Sequence, residues 1–335
     1  MKKKLAVMAL AAATLSMMAM PVYADDLVTV GYAQVGHESD WRTANTQNYQ
    51  DVFSEDAGYS LDLVDCDNDN AAQLEAVRTF ISKDMDYIVI APIQSAGWDT
   101  VLQEAQDAGI PVIIADREIE ASDDLYDAWV GTNTTNEGIT AGNWLAEYLG
   151  DKDANILVIE GSVGASAALG RTEGFNQVAG EHDNWKILDS QSGDFTQAGG
   201  QEVMESFLKK YKKDMDVVYC ENDNEAFGAI DAIENAGYKV GADGDMLVFS
   251  FDSTKAGLQD VKDGKITLDT ECNPLHGPRV EKIIEQLEKG ETPDKQAYVD
   301  EEMFAHDDTV TSVKVDGQDY PVTVVTDEVL KGRKY

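Results

Sequence analysis

From residue 25 onward the chain alternates short apolar runs with longer stretches in which apolar residues recur every three or four positions. That is the pattern of strands covered on both faces by amphipathic helices. The apolar runs predict strands over 27–35, 61–65, 87–91, 111–116 and 128–131, then over 156–160, 186–190, 217–220, 246–251 and 266–270. Most are Val, Ile and Leu with no polar alternation, as buried parallel strands require. Helices are expected between them, among them 71–83, 98–108, 137–149 and 225–236. Gly109, Gly150 and Gly237 follow three of these, where a residue free to adopt positive φ ends the last turn. The fold class is therefore α/β, with doubly wound parallel sheets.

The alternation breaks twice. Around 127–134 a strand runs into polar residues with no crossover helix before it, which marks a first passage between domains. Near 269–274 a strand runs into Pro274, and a helix follows over 277–289. The expected division is an amino-terminal lobe of residues 25–133 plus 272–300, and a carboxyl-terminal lobe and tail of residues 134–271 plus about 301–335. After Pro293 the pattern changes: 297–304 is extended and acidic, and 309–315 with 320–326 reads as a hairpin around Asp316-Gly317.

Residues 1–24 read as a signal peptide. Lys2-Lys3-Lys4 precedes an apolar run over 5–20, and Val22-Tyr23-Ala24 has the small-x-small form of a cleavage site. The mature protein is expected in the periplasm, with no lipid anchor because no Cys sits near that site. Charge points the same way about partners. The chain carries 63 Asp+Glu against 26 Lys+Arg, a net charge of −37, and −40 once the three lysines of the leader are gone. Such a surface repels phosphate backbones and anionic lipid heads, which argues against nucleic acid and membrane-surface partners.

Three cysteines, Cys66, Cys220 and Cys272, show no CxxC or metal-ligand spacing. They read as small buried hydrophobes, with a Cys220–Cys272 disulfide as the competing assignment. Four scattered histidines give no metal motif, and no cofactor is indicated. Gly161-Ser162-Val163-Gly164 lacks both the Walker lysine and a third fingerprint glycine, and reads as a strand-to-helix turn. Asp65, Asp67 and Asp69 alternate like a calcium loop but lack its glycine and its closing glutamate, so they read as a capping turn.

Chemistry concentrates at strand ends, where open α/β sheets bind their ligands. Glu38, Trp41 and Arg42 follow the first strand, with Asp40 between them, and Asp116-Arg117 ends the fourth. Arg171 lies just past the sixth, Asp194-Phe195 past the seventh, Asn222-Asp223 past the eighth and Asp252 past the ninth. Carboxylates and amides that accept from hydroxyls, guanidinium forks that donate, and aromatic faces over C–H surfaces suit a polyol. The structural alternatives are helix N-caps for Asp116 and Asp252, core packing for Trp41 and Phe195, and ion pairs for Arg117 and Arg171.

These segments carry a resemblance. Val30-Gly31-Tyr32-Ala33-Gln34-Val35-Gly36 with Glu38-Ser39-Asp40-Trp41-Arg42, Ala91-Pro92 with Gly97-Trp98, Asp116-Arg117, Gln191-Ser192-Gly193-Asp194-Phe195-Thr196 and Asn222-Asp223 resemble periplasmic sugar-binding proteins of the ribose-binding type. The resemblance is strongest to the galactofuranose-binding members and covers about residues 27–305. It implies two lobes on a multi-strand hinge, closing on a monosaccharide that passes to the permease of an ABC transporter, from a monomeric and non-enzymatic protein. It implies ligand contacts at Glu38, Trp41, Arg42, Asp116, Arg117, Arg171, Asn222 and Asp252, with Phe195 as an apolar wall. Glu271 is the implied contact beside the hinge, where the match slips. Asp40 replaces a glycine of the similar sequences, which implies an extra carboxylate at the mouth, and the tail over 310–335 has no assigned place. The alternatives are an exported glycoside hydrolase working with cleft carboxylates, and a transcriptional regulator, which would need a basic DNA-binding segment in place of the leader.

Overall fold

In the computed structural model, which describes residues 27–335, the alternating runs assemble into two sheets. The expected signal peptide lies outside the described residues. The first sheet contains β1 (Val28–Gln34), β2 (Tyr59–Asp65), β3 (Tyr87–Ile90), β4 (Val112–Asp116) and β5 (Ala128–Gly131), all parallel, in the order β2-β1-β3-β4-β5. The second contains β6 (Ala154–Glu160), β7 (Trp185–Ser192), β8 (Val217–Cys220), β9 (Leu247–Asp252) and β10 (Leu268–Glu271) in the corresponding order β7-β6-β8-β9-β10. One topology is thus used twice. Its switch point lies beside the first strand of each sheet, where ligands collect in such folds.

Four further strands extend these sheets. β11 (Gln296–Tyr298) adds parallel to β5, and β12 (Met303–Ala305) adds antiparallel to β10. The acidic run over 297–304 is therefore broken rather than continuous, because the chain passes from one sheet to the other over 299–302. β13 (Ser312–Val315) and β14 (Gln318–Val324) form the expected hairpin, and β14 pairs with β12. Asp316 and Gly317 at its turn both take positive φ, matching the twist that a two-residue hairpin loop needs.

The helices are α1 (Asp40–Val52), α2 (Asn70–Ser82), α3 (Asp99–Ala108), α4 (Thr134–Leu149), α5 (Ser166–Ala179), α6 (Gln197–Tyr211), α7 (Asp223–Asn235), α8 (Lys255–Lys262), α9 (Gly277–Glu288) and α10 (Asp327–Gly332). Local chemistry sets their starts. Ser39, Asn133, Thr196, Asn222, Thr254 and Thr326 each accept a backbone N–H of the first turn. Asp69 does the same for α2, accepting from Ala71 N at 2.8 Å, which accounts for the calcium-like alternation.

The first lobe packs around Tyr32, Phe80 and Ile113. The second buries both faces of its sheet, one against Phe207 and Ile230, the other against Trp144 and Phe175. Cys66, Cys220 and Cys272 are all buried and unpaired, so the alternative disulfide does not form. Among the described residues the chain crosses between the sheets three times, after β5, after β10, and between β11 and β12.

Candidate functional site

The strand ends of the two sheets face each other across a cleft. From the first lobe, Glu38, Trp41, Arg42, Asp116 and Arg117 line it; from the second come Arg171, Phe195, Asn222 and Asp252. Ser39, Ala167 and Cys272 complete the lining.

The first half is built around Arg42. Ser39 Oγ accepts Arg42 N and starts α1 at once, so Glu38, Trp41 and Arg42 share a single turn at the mouth of β1. Arg42 Nε donates to Glu38 Oε1 at 2.8 Å, and its Nη2 donates to Asp116 Oδ2 at 2.7 Å. Its guanidinium also sits 4.6 Å from the centre of the Trp41 ring. Trp41 Nε1 donates to Cys272 O at 2.6 Å, so the indole spans to the second crossing instead of lying on its own helix. Asp116 takes φ +67°, which turns Arg117 inward to donate to Ile93 O at 3.2 Å.

Close helix packing builds the second half. A Cβ at Gly138 would meet Arg171 O at 2.3 Å, and one at Gly174 would meet Thr135 O at 2.0 Å. Only glycine lets α4 and α5 approach so near, and the approach puts Glu137 Oε2 2.6 Å from Arg171 Nε. Arg171 also donates to Glu221 O, and its Nη2 lies 3.6 Å from Asp252 Oδ1. Asn222 both caps α7 and donates from Nδ2 to Phe195 O at 3.1 Å. Phe195 (φ +61°) and Asp252 (φ +101°) hold backbone conformations that cost non-glycine residues energy.

The two halves touch. Arg117 lies 5.3 Å from the Phe195 ring centre across the cleft. Ser95 N donates to Gly164 O at 3.0 Å, Glu118 N to Ser166 Oγ at 2.7 Å, and Asp40 N to Asn224 Oδ1 at 3.0 Å. The lobes are closed, leaving a cavity of only about 30 Å³ among the cleft atoms.

Electrostatically the cleft is balanced: Glu38, Asp116 and Asp252 face Arg42, Arg117 and Arg171. Burial by itself would raise the carboxyls of Glu38 and Asp116, but Arg42 and Arg117 outweigh it and hold both below the usual carboxylate range. At Asp252 burial wins over the attraction of Arg171, and its carboxyl titrates well above the ordinary value. His276, edge-on to Trp41, is pushed by burial to about 4 and is neutral at neutral pH.

Nine of the ten residues expected as contacts line the cleft. Neither Asp116 nor Asp252 caps a helix; Thr254 caps the helix after β9. Arg117 and Arg171 are ion-paired and line the cleft as well, so the two assignments coexist. Glu271 is the exception. Its carboxylate accepts from Glu302 N at 2.8 Å and Tyr335 Oη at 2.6 Å, and pairs with Arg333 Nη1 at 2.8 Å, away from the cleft. Side chains alternate along a strand, so the neighbouring Cys272 takes the cleft position. Asp40 is exposed and is not among the lining residues. Sequence reasoning missed Glu137 and Cys272. The glycines flanking Glu137 and Arg171 were the available signal for the first; nothing in spacing marked the second.

Comparison with known proteins places this architecture. A family model described as periplasmic binding protein domain matches residues 30–270. The galactofuranose-binding protein YtfQ of Escherichia coli (strain K12) is 37% identical over 311 residues, 92% of this chain and 96% of that one. Among solved structures, a Mycobacterium smegmatis protein in complex with β-D-fucofuranose superposes with a TM-score of 0.80 at 39% identity, covering 84% of this chain and 92% of that one. The periplasmic binding component of the arabinose ABC transporter from Shewanella sp. ANA-3, bound to α- and β-L-arabinofuranose, gives 0.80 at 36% identity, covering 84% and 93%. The chain belongs to the periplasmic binding protein family.

Proposed function

We propose that this protein is the sugar-capturing component of an ABC importer, acting in the periplasm. It closes residues 25–133 with 272–300 and residues 134–271 with 301–335 around one neutral monosaccharide in furanose form, and presents the closed form to permease subunits. The observation that carries this reading is the charge-balanced cleft, in which three guanidiniums alternate with three carboxylates between the Trp41 and Phe195 rings. A neutral polyol can accept from the forks and donate to the carboxylates without leaving a net charge buried. Similarity to proteins whose names or complexes specify galactofuranose, fucofuranose and arabinofuranose favours a furanose.

The ligand contacts in this proposal are Glu38, Trp41, Arg42, Asp116, Arg117, Arg171, Asn222 and Asp252, with Phe195 as the apolar wall. A sugar touching both lobes stabilises the closed state through contacts that exist only there. The hydrolase alternative has no support among the matched proteins, which are named for binding sugars and not for cleaving them. Calorimetry with a panel of furanose-rich and pyranose-only sugars is the direct test. Saturable one-to-one binding without turnover of aryl glycosides is expected; no binding by any sugar overturns the proposal.

A further inference from the structure

Beside the three crossings lies a groove of about 640 Å³ that is separate from the sugar cleft. Its acids are Glu137, Asp300, Glu301, Glu302, Asp316 and Asp319, and its lining contains no Lys, Arg or His. At its inner wall Glu137 and Glu301 meet Cys272, which reaches in from the cleft side, with a carboxylate oxygen of each acid and the thiol sulfur all within 4.8 Å of one another. Three oxygens of this lining, Glu137 Oε1, Glu301 Oε1 and Thr270 Oγ1, are buried with no hydrogen-bond partner. Glu137 is only 2% exposed and Thr270 only 3%.

Burying two carboxylates side by side is costly unless a cation or a shared proton lies between them. The basic side chain in contact with the trio does not meet that need. Arg171 is engaged on the other oxygen of Glu137, Oε2, and its remaining charge is shared with Asp252. Asp300 and Asp319 pair outward with Arg279 and Lys314, which leaves Glu301 facing Glu137.

We infer that Glu137, Cys272 and Glu301 form a binding site for one divalent transition-metal cation, with Zn²⁺ the best match. The donor set decides the metal class. One sulfur and two carboxylates suit a borderline-soft, four-coordinate ion, whereas Ca²⁺ takes six to eight oxygens. Glu301 is the partly exposed member, so the ion reaches the site from the groove, and a water there fills the fourth position. Cys272 binds as thiolate and releases its proton, so affinity rises with pH. Glu137 comes from α4 just past the first crossing, Cys272 from the second and Glu301 from the third. A single ion therefore ties together all three strands of the hinge. Histidine spacing could not reveal such a site, because its ligands are more than a hundred residues apart for Glu137 and Cys272.

The test uses the full mature chain stripped with a chelator and titrated with Co²⁺, then Zn²⁺. One Co²⁺ per chain is expected, with a thiolate-to-metal charge-transfer band that Zn²⁺ abolishes, and Zn²⁺ should raise the Tm. Glu301→Gln and Cys272→Ser should each weaken Zn²⁺ binding by about tenfold or more. Glu301 takes no part in the sugar cleft, so Glu301→Gln should keep sugar binding, which also reports that the variant is folded. The assignment is overturned if no saturable binding occurs, if the cobalt band is absent, or if Glu301→Gln binds Zn²⁺ like the parent. A proton shared by Glu137 and Glu301 would give the first two of these results, with a Tm insensitive to zinc.

Discussion

Arg333 Nη1 lies 2.8 Å from Glu271 Oε1, an ion pair whose side chains are 8% and 5% exposed. Tyr335 Oη donates to the same carboxylate oxygen at 2.6 Å, and Arg333 Nε donates to Ser253 O at 2.6 Å. The tail thus packs against the carboxyl ends of β9 and β10 and braces the turn that presents Asp252. Ser253 (φ +51°), like Asp252, is held in the left-handed region, so that turn depends on its neighbours for its shape.

Deleting residues 333–335 leaves Glu271 buried without its counter-charge, a loss on the order of 3–5 kcal/mol. The truncated protein is expected to melt several degrees lower and to bind sugar about tenfold more weakly. Adding Glu271→Gln to the truncation should recover much of the Tm but not the affinity, because it removes the unpaired charge without restoring the brace. Thermal unfolding and calorimetry on the three proteins check this; a truncated chain with parental affinity would rule out the bracing role.

A second expectation concerns Gly161. A Cβ there would come 2.0 Å from Phe195 Cζ. Gly161→Ala must displace the aromatic wall, while β6 and α5 on either side keep their own packing. Sugar affinity should drop by about tenfold or more with far-UV circular dichroism unchanged. In a Phe195→Ala background the same substitution should have little further effect, since the clash is gone. Full additivity of the two losses would place the effect elsewhere.

Legibility in the sequence followed the physics of each signal. Continuous Val/Ile/Leu runs such as Ile156–Ile159 can be little else than buried strands, so the two sheets could be read directly. Strand-end positions were legible because topology brings strand ends together whatever the side-chain contacts. Glu271 was misplaced by one residue for the corresponding reason: a one-residue slip along a strand moves a side chain to the opposite face. What faces it, the Arg333–Tyr335 pair, lies more than sixty residues away with no local pattern to announce it. Glu137 and Cys272 escaped notice because their partners are set by helix approach and by crossing geometry.

Glu221 predicts an unusual pH profile. Burial pushes its carboxyl up to about 8, although Gly161 N and the Thr172 hydroxyl donate to it. The unfolded chain loses this proton near pH 4.5, while the folded chain keeps it until about 8. Across that window the folded state holds more protons, so stability falls as pH rises, by at most about 1.4 kcal/mol per pH unit from this group. Glu225 and Asp252, also raised by burial, act in the same direction. Glu38 and Asp116 act oppositely: their folded values are depressed, so their contribution is lost as pH falls below the ordinary carboxylate range. Maximal Tm is expected near pH 5 (roughly), with a decline towards 8. Glu221→Gln, which imitates the protonated form, should flatten that decline. A parent and variant that fall in parallel between pH 5 and 8 would exclude Glu221 as its source.

Arg171 joins the stability of the second lobe to its function. It holds Glu137 Oε2 at 2.6 Å, lies 3.6 Å from Asp252 Oδ1, and stacks 4.8 Å from the Phe251 ring centre. Arg171→Met removes the charge and keeps the volume. It strands Glu137 and Asp252, and a loss on the order of 3–5 kcal/mol is expected. Arg171→Lys retains the charge but not the planar fork, so it should lose less stability while still binding sugar at least about tenfold more weakly. The double variant Arg171→Met with Glu137→Gln separates the two roles. Removing the stranded carboxylate should return most of the Tm, yet sugar binding should stay lost, because no second donor fork reaches the cleft from that lobe. Recovery of binding in the double variant would mean that Arg171 only neutralises Glu137 and never touches the ligand.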